Sequence, residues 1–307
     1  MNIFGLSILI GGITTTIGSY MKDYTNYIEK YNRDFSYDNY EIFKINMKEI
    51  EKINNDEKYT FKVGVNGFVD TMGGMKEIII DEPDEYYIPD EIKIPQKMDW
   101  RNEGVVTDVK NQGHCGSCWA FSTTGSIEGI IGIKENNLYN ISEQQLVDCS
   151  VKNHGCEGGS MDYAYQYVIN NGLCSEKEYP YEGVDDLCRM DQCKSVVNVT
   201  DYKNIYPNEM IMKRVVSQQP VSVAIQANLT TFRLYSGGIY NDENCGDQLD
   251  HGVLVVGYGT ENGNDYWIVK NSWGEDWGER GYIRIQRNSG KEYGICGISK
   301  MPSIPLV

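Results

Sequence analysis

A thiol at the head of an apolar run is the most chemically suggestive arrangement in this 307-residue chain. In Asn111-Gln112-Gly113-His114-Cys115-Gly116-Ser117-Cys118-Trp119-Ala120-Phe121, Cys118 sits at the start of a predicted helix and the amide of Gln112 lies just upstream. A helix N-terminus carries partial positive charge and unpaired N–H groups, which favour a thiolate and can hold a developing oxyanion. Gln112 would supply a second oxyanion donor. Such a nucleophile needs a base, and the chain has 3 histidines. His251, in Leu249-Asp250-His251-Gly252-Val253, leads into the apolar residues 254–256, a predicted strand, whereas His114 and His154 read as exposed loop residues. Cys115 and Cys118 also form a C-x-x-C, the spacing of a redox pair or of half a zinc site. Zinc needs a second such pair or a Cys/His pair, and the chain offers neither. We therefore expect no metal and no cofactor, and a thiol-disulfide oxidoreductase stays open as an alternative.

Composition narrows the class further. The net charge is −16 and the pI about 4.7, so nucleic acid and anionic membrane surfaces are excluded as partners by like charge. An acidic compartment suits such a chain, since protonated carboxylates bring its charge toward zero. Residues 3–17 are uncharged and largely apolar. That is shorter than the ~18 residues needed to span a bilayer, so residues 1–18 are expected to be a signal peptide and no stable membrane anchor is expected. Nine cysteines divide into four disulfides and one free thiol, the pattern of an exported protein. Asn140, Asn198 and Asn228 each open an N-x-S/T triplet, compatible with the secretory pathway.

Several blocks together resemble the papain family of cysteine proteases: the Cys118 segment, Asp99-Trp100-Arg101 within residues 95–106, Leu146-Val147-Asp148-Cys149-Ser150, Gly155-Cys156-Glu157-Gly158-Gly159, Tyr179-Pro180-Tyr181-Glu182-Gly183, Gln219-Pro220-Val221-Ser222-Val223, Asn271-Ser272-Trp273-Gly274 and Gly281-Tyr282-Ile283-Arg284-Ile285. They occur in the family's order from about residue 92 to the end. The resemblance implies peptide-bond hydrolysis with Cys118 as nucleophile, His251 as acid/base, Asn271 orienting the imidazole and Gln112 in the oxyanion hole. It implies that Trp273 shields the His-Asn hydrogen bond, while Trp277 reads as a core aromatic. It pairs Cys115 with Cys156, Cys149 with Cys188 and Cys245 with Cys296; Cys174 and Cys193 remain and are assigned to each other. Gly158, Gly159, Met161, Ala224, Gly252, Trp273 and Met301 match the family's substrate-binding positions. With no carboxylate at Met301, an apolar P2 residue is expected, and with no His-bearing insertion after Gly158, an endopeptidase. Glu275, Asp276 and Glu279 read as a solvated loop. A noncatalytic binding protein on a protease fold is a second alternative, disfavoured because the catalytic set is complete.

Around the site, residues 117–131 are predicted helical, Ser142 caps a helix at 143–148, and residues 161–170 carry apolar helical spacing ended by Asn171-Gly172. Residues 222–227, 252–258, 266–270 and 282–287 read as strands. A helical lobe followed by an antiparallel β lobe makes an α+β protein, the two-lobe fold that the resemblance implies, with the site in the cleft between lobes. Residues 19–91 differ: they hold no cysteine, histidine or tryptophan. Helix-like periodicity runs across residues 24–54, strand-like alternation across 59–65, and an acidic linker across 81–90. Phe43, Asn46, Ile50 and Asn54, and then Gly64, Asn66, Phe68 and Asp70, resemble the motifs of the inhibitory prosegment in cathepsin L-like enzymes. Phe35 and Asn39 occupy positions where relatives carry a Glu/Arg ion pair, so this prosegment must be braced differently. We expect residues 19–91 to be an inhibitory propeptide and 92–307 the mature peptidase, in a secreted or lysosome/vacuole-like location. The expected partners are peptide and protein substrates and the chain's own prosegment, and the protein is expected to be a monomer. Residues through Glu91 carry 9 basic and 17 acidic side chains and the remainder 19 and 27, so both parts are equally negative and local contacts must hold the prosegment in place.

Overall fold

The computed structural model describes residues 14–73 and 77–307. Of the expected signal peptide, residues 1–13 lie outside the described residues and 14–18 belong to the first helix. The periodicity across 24–54 is realised as two helices, α1 (Thr14–Lys30) and α2 (Tyr37–Asn54). They break where Asn32 turns left-handed at φ 49°, and Ser36 caps α2 by accepting from the Asn39 amide. Tyr24, fully buried, lies at their crossing, with the rings of Tyr27, Phe35, Tyr40 and Phe43 all within 6.0 Å. Each such aromatic pair contributes about 0.5–1.5 kcal/mol beyond area burial. The strand expected at 59–65 shortens to β1 (Phe61–Val63), and a second short strand, β2 (Glu77–Ile78), follows.

The brace missing at Phe35 and Asn39 is supplied from elsewhere. Arg33 forms an ion pair with the fully buried Asp70, whose same oxygen accepts from the Tyr27 hydroxyl at 2.7 Å. Asn46 donates to Val69 O at 2.8 Å, which fixes the segment carrying Asp70 onto α2.

After β3 (Met98–Asp99) come three helices, α3 (Cys118–Glu135), α4 (Glu143–Cys149) and, past β4 (Gly158–Gly159), α5 (Met161–Asn171). Ser142 caps α4 as expected, accepting from the Gln145 amide, and Gly172 at φ 68° ends α5. The second lobe contains β5 (Asp201–Asn204), α6 (Glu209–Val216), β6 (Val221–Ile225), α7 (Thr230–Arg233), β7 (Tyr235–Tyr240), β8 (His251–Glu261), β9 (Asn264–Lys270), β10 (Tyr282–Gln286) and β11 (Pro302–Leu306). Their sheet runs in the order β1-β7-β10-β9-β8-β6-β11-β5, with β3 on β8. It is antiparallel apart from the β7–β10 pair. β5, β7, β11, α6 and α7 were not anticipated: their apolar residues are interrupted by Gly, Pro, Lys or Arg, which blurs both periodicities.

α3 is the partition between the lobes. It is buried from Cys118 through Gly132, and glycines let the flanking elements approach: a Cβ at Gly129 would lie 2.6 Å from Pro220, and one at Gly125 2.8 Å from Leu254. The prosegment joins the second lobe. β1 pairs antiparallel with β7, and Phe61 packs 4.6 Å from Tyr240.

Candidate active site

Cys118 begins α3 at the floor of a cleft of about 180 Å³, which is also lined by Gln112, Asp250, His251 and Trp273. Ser117 does not cap the helix; its hydroxyl lies 2.6 Å from that of Tyr181. The backbone N–H groups of Gly252, Trp119 and Cys118 all stabilise the sulfur as an anion. Gln112 is fixed from three sides: its Nε2 donates to Cys115 O at 2.8 Å, its Oε1 accepts from Ser272 Oγ at 2.7 Å, and its backbone N–H donates to Ser272 O at 2.9 Å. One Nε2 hydrogen remains to point into the cleft.

His251 is the first residue of β8, opposite Ile225 of β6. Its Nε2 lies 2.8 Å from Asn271 Oδ1, and Asn271 directly follows β9. An amide oxygen accepts, so Nε2 carries the proton and Nδ1 is left as the acceptor. Nδ1 is buried and has no protein partner. The Trp273 ring lies over the imidazole at 4.7 Å, and Trp277, buried, meets Trp273 edge-on at 5.1 Å. Gly252 leaves little room for a side chain, since a Cβ there would lie 3.2 Å from Cys118 and Trp119 backbone atoms.

Burial governs the charge state of this pair. Cys118 is 4% exposed and His251 fully buried. Desolvation raises the thiol to about 11 despite the three N–H groups, and lowers the imidazole to about 4 despite the Asn271 bond. Burial thus opposes the charge that the helix N-terminus favours, because a low-dielectric site disfavours both charged forms.

Part of what closes the cleft comes from residues 61–73 and 77–79. Phe68 packs on Trp273 at 4.8 Å and lines the cleft; Asn66 donates to Arg233 O at 2.8 Å. β2 then pairs parallel with β4, Glu77 opposite Gly158 and Ile78 opposite Gly159, and Ile79 N donates to Gly159 O at 3.0 Å. Met161, Ala224 and Met301 come together around one pocket of about 30 Å³, roofed by Ile78, Ile80 and Pro83. Gly252 stands apart from it, against Cys118. The same pocket holds a carboxylate not foreseen: Asp162, on the first turn of α5, is raised to about 6 by burial, an effect opposed by hydrogen bonds to Asn204 and Ser303. The linker stays on the enzyme surface, with Tyr87 N bonded to Asn204 O at 2.7 Å and Arg214 to Pro89 O at 3.1 Å, while residues 90–93 are exposed.

A buried ionic cluster behind the cleft also escaped the sequence reading. Lys110 Nζ bonds Glu128 at 3.0 Å and Glu143 at 2.6 Å; Thr107 donates to Glu128 at 2.6 Å and accepts from Lys270 Nζ at 2.9 Å. Lys270 immediately precedes Asn271, so the cluster ties the loop after β9 to α3 and α4. The only sequence signal was charge within apolar stretches. Glu279 corrects the solvated-loop expectation: it accepts from Arg284 Nη2 at 2.8 Å and from Gly238 N at 2.9 Å, whereas Glu275 and Asp276 are exposed. His114 and His154 are exposed. Disulfides join Cys115 to Cys156, Cys149 to Cys188, Cys174 to Cys193 and Cys245 to Cys296, and Cys118 is free. Among the described residues no His/Cys/Asp/Glu group is arranged to hold a metal, and no helix is long and apolar enough to cross a membrane.

Comparison with known proteins agrees with this geometry. Residues 94–306 match the papain family cysteine protease description. The chain is 43% identical over 306 residues to cysteine protease XCP2 of Arabidopsis thaliana, covering 94% of this chain and 84% of the relative. It is 43% identical over 309 residues to cathepsin L of Sarcophaga peregrina, covering 92% and 89%. Of the longer cysteine proteinase RD21A of Arabidopsis thaliana, 44% identical over 286 residues, the match covers 87% of this chain but 61% of the relative. Among solved structures, the ragweed pollen allergen Amb a 11 cysteine protease in its proform superimposes with TM-score 0.88 at 37% identity, covering 94% and 93%. Digestive procathepsin L 3 of Tenebrio molitor does so with TM-score 0.83 at 36% identity, covering 94% and 99%. With the family description, full-length relatives and proform structures in agreement, the chain belongs to the papain family of cysteine proteases and is a cathepsin L-like cysteine-type peptidase.

Proposed function

We propose that the chain is the zymogen of an endopeptidase in which Cys118 and His251 carry the chemistry, Asn271 orients the imidazole and Gln112 binds the oxyanion. The observation that carries this reading is the His251–Asn271 contact through Nε2, which leaves the unpartnered Nδ1 as the proton acceptor in the cleft shared with Cys118. The thiolate attacks the scissile carbonyl, and the carbonyl oxygen, now negative, is held by the Gln112 amide and the Cys118 backbone N–H. The His251 imidazolium gives its proton to the departing amine, which leaves a thioester that water hydrolyses with His251 as base. Met161, Ala224 and Met301 favour an apolar P2 side chain.

Residues 19–91 act as the inhibitor. Phe68 and the Ile78–Ile80 stretch occupy the cleft, and residues 90–94, of which 90–93 are exposed at the end of the linker, are where cleavage releases the mature enzyme. Disulfides and relatives support a secretory route to an acidic compartment or outside the cell. Cys115 is committed to Cys156, so no exchangeable Cys115/Cys118 pair supports the oxidoreductase reading.

The decisive experiment compares acid-matured wild type with Cys118→Ser, the latter matured by a second protease. The variant should retain its fold and lose peptide hydrolysis altogether. Residual turnover well above the uncatalysed rate would remove Cys118 from the nucleophile's role.

A further inference from the structure

We propose that Asn228 carries an N-linked oligosaccharide that stands on the leaving-group rim of the cleft and screens it against bulky protein substrates. The inference rests on the secretory route proposed above, since that is where the donor is found. Asn228-Leu229-Thr230 is one of three N-x-S/T triplets, and in all three the asparagine is exposed. Asn140 lies on the loop between α3 and α4, and Asn198 on the loop before β5. Asn228 is bound through its backbone to a residue of the cleft wall.

Its place is fixed by two neighbours. The Asn228 backbone N–H, with that of Ala227, binds the carboxylate of Asp250, and Asp250 lines the catalytic cleft beside His251. On the other side the prosegment passes close, for a Cβ at Gly73 would lie 3.4 Å from Asn228 O. The course of the prosegment gives the polarity of the rim. It touches Trp273 through Phe68, passes Asn228 at Gly73, and only then reaches Gly158, Gly159 and the Met161 pocket. Asp250, to which Asn228 is bound, lines the Cys118 cleft together with Trp273 and Phe68 and takes no part in the Met161 pocket, so Asn228 stands on the side of the cleft away from that pocket, where the leaving amine and the chain beyond it must lie. Its side chain is available: Oδ1 accepts from Gln226 Nε2 at 3.0 Å, and Nδ2 makes no hydrogen bond among the described residues. The site is exposed with the prosegment in place, so a glycan projects outward and is compatible with the folded zymogen.

The chemistry balances without redox change. Asn228 Nδ2 attacks the anomeric carbon of an oligosaccharide carried on a lipid diphosphate; the N–C bond forms, the C–O bond to the phosphate breaks, and the amide proton and the lipid diphosphate leave. In the mature enzyme the branched polar chain then removes approach directions for a folded protein, while a short peptide threads beneath it.

The test uses full-length protein secreted from a eukaryotic host and matured in acid. Glycopeptide mass spectrometry should find Asn228 occupied. Asn228→Gln and Thr230→Ala each abolish the triplet by a different residue. Both should raise the cleavage rate of a folded protein such as serum albumin about two- to threefold by relieving the orientational constraint, and leave the rate on a dipeptidyl coumarin amide, which has no chain beyond the leaving group, unchanged. Occupancy at Asn140 or Asn198 with Asn228 bare overturns the proposal and leaves the secretory route standing. Three bare sites overturn the proposal too, and the secretory route is read separately from export of the chain into the medium. A change in only one variant, or an equal change on the small substrate, refutes screening by the glycan.

Discussion

The sharpest consequence of the closed cleft is the pH dependence of Cys118 alkylation in the intact zymogen. Burial raises the thiol from 9.0 to about 11. At pH 7 that leaves ~0.01% thiolate, against ~1% for an unperturbed thiol, a deficit of ~100-fold. The more basic thiolate is intrinsically ~8-fold more nucleophilic, so the net rate with a small neutral reagent should be ~10-fold below that of an exposed cysteine. Restricted access lowers the rate further but does not move the pH at which it levels off. Zymogen treated briefly with iodoacetamide from pH 6 to 10, and scored by intact mass so that only unprocessed chains are counted, should show a rate still rising at the top of that range. The matured enzyme should behave oppositely. Without Phe68 on Trp273 the pair is resolvated, a His251 imidazolium can accompany the thiolate, and the rate should already be flat well below neutrality. A zymogen profile that levels below pH 9, or one that coincides with the mature profile, would refute the claim that desolvation by the prosegment holds the pair neutral.

Two further outcomes follow from buried carboxylates. Arg33→Met leaves Asp70 as an unpaired buried charge and should cost the prosegment about 3–5 kcal/mol, seen as a lower first melting transition and faster processing; Asp70→Asn, which retains a hydrogen-bonding side chain, should cost less, so equal effects from both would contradict the ion-pair account. Asp162, raised from 3.8 to about 6, destabilises the folded chain progressively as pH rises from about 4 to 6 and adds nothing further above that, so Asp162→Asn should reduce the gain in melting temperature on going from pH 7 to pH 5; an unchanged pH slope would exclude this group.

Much of the site was legible because chemistry restricts residue types and the restriction leaves local marks. A lone reactive thiol before a helix and a histidine before a strand are visible in short windows. So were the helices at Cys118, Glu143 and Met161, because Ser142 as a cap and Gly172 as a terminator act within one turn. The unanticipated parts are set by distant partners. β7 and β11 are strands because of the neighbours they pair with, not by their own alternation, and Tyr235–Tyr240 contains two glycines that argue locally for a turn. Lys110, Glu128, Glu143 and Lys270 are far apart in sequence, and nothing local reveals that their charges cancel within one cluster. The Arg33–Asp70 pair was missed for the same reason: the absence of a pair at Phe35 and Asn39 showed that a different brace was needed, but not that Arg33 and Asp70, 37 residues apart, would supply it. The helix terminus at Cys118 is a local signal and was legible, whereas the burial that opposes it depends on residues distant in sequence and was not.

One strand of the main sheet belongs to the part of the chain proposed to be discarded. When β1 departs, β7 becomes an edge, and an edge of unpaired N–H and C=O groups is a template on which other chains can add. The sequence of that strand limits the hazard. Gly238 at φ 89° departs from extended geometry, and a register shift between Lys62 and Val63 already interrupts the β1–β7 ladder. Glu279 occupies the Gly238 amide from the side, holding a charged group close to the rim. The surface that receives the prosegment is thus short, irregular and charged at its rim, a poor template for an added strand once maturation exposes it.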